Sequence, residues 1–101
     1  MDLNSEFESI ANDLTNLFRN TIKAKGLIES GRLINSVKWV VIKQGDNYKL
    51  SMVSEDYYKY LDKDYNITKD AFNTTEYSRI KERIGTIYTI MIKTDIINAI
   101  K

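Results

Sequence analysis

The chain contains no cysteine, no histidine and no proline, and only four glycines in 101 residues. Without cysteine there is neither a disulfide framework nor a thiolate metal site. Without histidine the commonest general base and the commonest transition-metal ligand are both missing. No proline-rich linker divides the chain. Neither sign of charge dominates: 15 Lys and Arg against 14 Asp and Glu leave a formal net charge of +1. A bulk electrostatic drive toward nucleic acid or an anionic membrane is therefore not indicated. No run approaches the ~20 apolar residues that cross a bilayer. The first residues, Met1 to Glu6, lack the basic start and apolar stretch of a secretory signal. The expectation is a cytoplasm-like compartment, in which the glycosylation sequons at Asn66 and Asn73 are chance matches.

Apolar residues make up 43% of the chain and charged residues 29%, as in a folded protein with one modest core. We expect a single domain over residues 1–101. Phe7, Ile10, Ala11, Leu14, Leu17, Phe18 and Ile22 recur in steps of three and four, which predicts an amphipathic helix over residues 5–25. Ser5 and Glu8 fit a capping box at its start, and Gly26 fits the left-handed position at its end. Asn12, Asp13, Asn16, Arg19, Asn20 and Lys23 then form a solvated face. Residues 27–36 make a connector with one helical turn, in which Gly31 supplies backbone freedom while Leu33 and Ile34 plug the core edge. Val37 to Lys43 and Tyr48 to Ser54 predict two strands of a β-hairpin, turned by Gln44-Gly45-Asp46-Asn47, with Tyr48, Leu50 and Met52 on one face. Residues 62–75 are polar and mixed and suggest a long loop anchored by Phe72. From Thr75 a helix is expected to run to about Ala99. Its second half is β-branched enough that Ile90-Met91-Ile92 suits a strand equally well. The expected fold is α+β: an N-terminal amphipathic helix, an antiparallel hairpin or small sheet, a Tyr-rich loop, and a C-terminal helix packed on the sheet.

Candidate chemistry is sparse. Asp62, Asp64 and Asn66 copy the first, third and fifth ligands of an EF-hand loop, but Ile67 stands where the sharp turn needs Gly, and Asn73 where the site needs a bidentate Glu. Ser30 and Ser36 flank a glycine without a nucleophile-elbow pattern or any His to activate them. The paired carboxylates Glu55/Asp56 and Asp62/Asp64 lie in polar surroundings unsuited to acid–base work. No phosphate loop is present. The expectation is a non-enzymatic protein with no cofactor and no metal. Tyr57, Tyr58, Tyr60 and Tyr65 with Lys59 and Lys63 could stack on single-stranded nucleic acid, but Asp56, Asp62 and Asp64 repel phosphates. Core packing or a protein interface is the better reading of these tyrosines. Trp39 suits a core position or an interface hot spot, and the sequence does not separate the two.

Two segments carry a resemblance. Ser30-Gly31-Arg32-Leu33-Ile34-Asn35-Ser36-Val37 leads into the first strand, and Tyr57-Tyr58-Lys59-Tyr60-Leu61-Asp62 follows the hairpin. In this order they resemble the tail-completion, or head–tail joining, proteins of tailed bacteriophages. Members of that family carry a Thr/Ser-Gly-x-Leu-x-x-Ser segment before the first strand and a Tyr-Ala-x-x-x-Glu-x-Gly-Thr-like segment after the hairpin. Lys63-Asp64 stand here where the family has Gly, and the Pro-containing stretch before its last helix is missing. The resemblance implies a structural virion protein of the phage neck, assembled in the host cytoplasm and located in the virion. It implies a hexameric or dodecameric ring around the DNA channel that joins portal-side adaptor proteins to the tail, with no membrane partner. On that reading Trp39, Tyr57, Tyr58, Tyr60, Tyr65, Ile90, Ile92 and Ile96 are the candidate subunit contacts. Lys38, Lys43 and Lys49 are the candidates for non-specific contact with channel DNA. The alternative is a small phage- or host-encoded inhibitor or regulatory module that binds a protein.

Overall fold

A computed structural model describes residues 3–26, 31–45, 47–90 and 96–98. Helix α1 (Leu3–Ala24) leads through α2 (Gly31–Ser36) into strands β1 (Lys38–Gln44) and β2 (Asn47–Val53). Three helices follow, α3 (Tyr58–Tyr65), α4 (Ile67–Phe72) and α5 (Thr75–Ile90), and then a short strand β3 (Ile96–Asn98). The expected α+β class holds. The sheet order is β1-β2-β3, with β1 and β2 antiparallel and β3 parallel to β2. Parallel pairing needs a long crossover, which α3, α4 and α5 supply.

Helix α1 buries the stripe its spacing predicts: Phe7, Ile10, Leu14, Phe18 and Ile22 are each fully enclosed. It starts at Leu3, so Ser5 lies in its first turn rather than at a cap. It ends as expected, with Gly26 at φ 75 and its N–H on the Lys23 carbonyl, 3.0 Å away. The face expected to be solvated is partly engaged. Arg19 donates from Nε to the Val37 carbonyl at 2.9 Å and from Nη2 to the Asn35 carbonyl at 3.2 Å. Asp13 pairs with Arg83 of α5, which also donates to Ser9 Oγ at 3.0 Å. Gly31 heads α2 with no positive φ, and Leu33 and Ile34 plug the core as anticipated.

The hairpin register pairs Trp39 with Met52, Val41 with Leu50 and Lys43 with Tyr48. Gly45, at φ 61, takes the left-handed conformation that opens a two-residue turn. Strand alternation sends Trp39 and Val41 with Tyr48 and Leu50 toward α1. Phe7 stacks on Tyr48 at 4.5 Å, and Phe18 meets Trp39 edge-on at 5.3 Å. The Thr15 hydroxyl, buried in this layer, joins helix to strand: it donates to the Ala11 carbonyl at 2.8 Å and accepts the Trp39 N–H at 2.8 Å.

Two expectations are corrected. Residues 62–75 are not a loop but the end of α3, the helix α4, and two tight turns. Asn66 makes this possible by taking φ 54, ψ 43, a left-handed conformation that Asn tolerates, so one residue ends α3 and begins α4. Phe72 is the anchor expected, set against Phe18 at 5.5 Å and Tyr77 at 4.6 Å. The C-terminal helix packs chiefly on α1 and also on α4. It is described to Ile90, and residues 96–98, expected within it, pair instead with β2 as a strand. At the start of α5, Thr74 is a true cap, its hydroxyl accepting the Tyr77 N–H at 3.1 Å.

The Thr15 link can be tested by shape-conserving substitution. Thr15→Val leaves the buried Trp39 N–H without its acceptor and should cost about 1–3 kcal/mol. Thr21→Val removes a hydroxyl that bonds only to Leu17 of its own helix and should cost less than about 1 kcal/mol. Urea denaturation of the two variants checks the difference.

Candidate assembly surface

The segment before the first strand holds the residue that leads into the post-hairpin segment, Glu55. At the end of α2, the Ser36 hydroxyl donates to the Leu33 carbonyl at 2.7 Å and accepts the Glu55 N–H at 3.1 Å. Arg32 Nε donates to Glu55 Oε1 at 2.9 Å. The start of the post-hairpin segment is therefore pinned to the segment before the first strand. The hydroxyl matters more than the ion pair, because Arg32 is 81% exposed and exposed pairs contribute at most about 1 kcal/mol.

Beyond that joint, α3 sorts its tyrosines by helical position. Tyr58 points inward and is 5% exposed, and its hydroxyl lies 2.9 Å from Thr68 Oγ1. Thr68 Oγ1 donates its single proton to Asp62 Oδ2 at 2.8 Å, so Tyr58 must be the donor in its own contact. Asp62 Oδ1 also accepts the Thr68 N–H at 2.6 Å, satisfying a free amide in the first turn of α4. The chain Tyr58–Thr68–Asp62 thus locks α3 to α4. Burial, with a smaller contribution from the Asp62 charge, pushes the Tyr58 phenol well above its ordinary range. The EF-hand ligand pattern is thereby accounted for: Asp62 serves as a helix clamp. No group of three or more potential metal ligands lies together among the described residues.

The other tyrosines face outward. Tyr60 is 63% exposed and Tyr65 43%, and Tyr57 is also exposed. Lys59 sits over the Tyr60 ring at 5.2 Å. Of the candidate contact residues, then, Tyr57, Tyr60 and Tyr65 are exposed, with Tyr57 and Tyr60 one turn apart on the same side of α3. Trp39 and Tyr58 do not join them, because both are enclosed by the chain's own core. Ile90 ends α5 and Ile96 pairs with Tyr48 in the sheet; Ile92 lies outside the described residues.

A second surface went unnoticed in the sequence. The face of the hairpin turned away from α1 carries Lys38, Val40 and Ile42 from β1 and Lys49, Ser51 and Val53 from β2. Ile42 and Val53 are 38% and 54% exposed. The alternation that buries Trp39 and Leu50 could have revealed this face. It also divides the lysines proposed to meet DNA: Lys38 and Lys49 share the open face, whereas Lys43 lies on the other side with its ammonium over Tyr48. A groove of about 540 Å³ between α1 and α5, floored by Leu17 and Ile80, has Arg79 on its wall. No described helix is long and apolar enough to cross a membrane.

Comparison with protein-family models, curated proteins and solved structures finds no match.

Three substitutions test the joint and the lock. Ser36→Ala should cost about 1 kcal/mol in urea denaturation, and Arg32→Ala less than half as much. The Tyr58 phenol is raised above its ordinary value of 10.0, so its stabilisation is complete below pH 10 and is lost as pH rises from there toward the folded value. The stability advantage of the parent over Tyr58→Phe should therefore shrink above pH 10, as measured by denaturation at stepped alkaline pH.

Proposed function

We propose that the chain is a non-enzymatic structural protein of the tailed-phage neck, a ring-forming connector that joins portal-side proteins to the tail. One observation carries this reading. Ser36 and Arg32 of the first resembling segment hold Glu55, two residues before the second, and the second segment displays Tyr57 and Tyr60 to solvent. Exposed tyrosines suit subunit contact, because each offers a large rigid area at low entropy cost. The absence of histidine and cysteine, with no cluster of metal ligands among the described residues, gives no competing catalytic chemistry to argue from. Assembly in the host cytoplasm and residence in the virion follow from the same reading.

Light scattering after size-exclusion chromatography tests it. We expect a closed oligomer larger than a dimer, formed by the chain alone or on mixing with portal-side connector proteins, and recovery of the chain in purified virions. A well-folded monomer under all these conditions would overturn the neck assignment in favour of a small inhibitory or regulatory module.

A further inference from the structure

The described part of the molecule exposes five large hydrophobic side chains, Ile42, Val53, Tyr57, Tyr60 and Tyr65. They fall into two patches. Ile42 and Val53 lie on the open face of the hairpin beside Lys38 and Lys49, a face with no carboxylate among its described residues. The three tyrosines belong to α3 and the residue before it. There Tyr57, Tyr60 and Asp64 follow one helical face at spacings of three and four, with Asp56 at its start. Lys59 and Lys63 lie further round the helix, so an acidic–aromatic stripe borders a basic one. Lys38, Lys49, Asp56 and Asp64 form no ion pair with any described residue.

We infer that the open hairpin face of one copy receives the acidic–aromatic stripe of α3 from another copy. Lysines 38 and 49 meet aspartates 56 and 64, while Ile42 and Val53 pack against Tyr57 and Tyr60. The hairpin face carries positive charge alone, and the stripe carries Asp56 and Asp64 beside its tyrosines, with the Lys59 ammonium over the Tyr60 ring at its basic border, so each surface supplies what the other lacks. The two patches differ, so a single contact between copies leaves one of each unused. Addition therefore continues, giving a ring where the rotation between copies closes and a filament where it does not. This contact rests on the reading of the chain as a self-assembling neck component and names the surfaces through which it would assemble.

Charge reversal tests it. Lys38→Glu with Lys49→Glu, or Asp56→Lys with Asp64→Lys, should each weaken self-association about tenfold or more, and the fourfold swap should restore it. All four side chains are solvent-accessible, and circular dichroism with a denaturation midpoint confirms that each variant is folded. Because the parent lacks cysteine, Val53→Cys and Tyr60→Cys provide an independent readout. Oxidation should cross-link an equimolar mixture of the two variants and leave each alone uncross-linked. An oligomer that withstands both reversals and gives no mixed cross-link overturns this contact but leaves the assembly reading standing. A parent chain that is monomeric alone and with its neck partners overturns both.

Discussion

The burial of one helix face, from Phe7 to Ile22, positions nearly everything else in this protein. Helix α1 meets β1, α2, α4 and α5, and its contacts are polar as well as apolar. Hydrophobic burial along the stripe supplies an attraction without direction. Thr15 and Arg19 supply the direction. The Thr15 hydroxyl takes the Trp39 N–H on the outer edge of β1, and Arg19 takes the Val37 and Asn35 carbonyls just before it. An edge strand's unpaired groups invite pairing with other chains. Here the first half of that edge is occupied by the covering helix, and strand and helix are held in one register.

That register has consequences further along the chain. With Trp39 fixed inward, alternation turns Lys38, Val40 and Ile42 outward. The antiparallel pairing then places Lys49, Ser51 and Val53 on the same open face. At the far end of the hairpin, Ser36 catches the Glu55 N–H and starts α3 at a set angle. The Tyr58–Thr68–Asp62 chain holds α3 against α4, and the contact of Phe72 with Phe18 returns the whole arm to α1. Two surfaces of unlike chemistry are thus presented by a scaffold whose polar joints are hydroxyl-mediated and partly buried.

Much of this was legible in the sequence. The period of three and four gave α1 its apolar stripe, and turn chemistry at Gly45 set the hairpin. Leu33, Ile34 and Phe72 were recognisable plugs because each is an apolar residue isolated in a polar stretch. Helices α3 and α4 escaped notice because six to eight residues hold too few apolar positions to display a period. Ile67 and Ala71, both fully buried, are one i, i+4 pair inside a polar run. The clamp from Asp62 to Thr68 bridges two helices through a left-handed Asn66, and no local propensity announces such an arrangement. Trp39 was more legible than the sequence reading allowed. It shares a strand face with buried Val37, which favours the core over an interface. At the C-terminal end the β-branched run suited strand and helix alike at Ile90-Met91-Ile92, whereas the observed strand lies further on, where Ile96 to Asn98 pair with the edge of β2.

Helix α3 divides its tyrosines into an internal lock, Tyr58, and an exposed set through which we propose that copies meet. Hydroxyl-radical footprinting, with oxidation quantified residue by residue, tests this most directly. In the free chain Tyr57, Tyr60 and Tyr65 should react readily while Tyr58 is spared; in the assembled state Tyr57 and Tyr60 should fall toward the level of Tyr58. Reactivity of Tyr57 and Tyr60 unchanged by assembly, or Tyr58 as reactive as Tyr60 in the free chain, would contradict it.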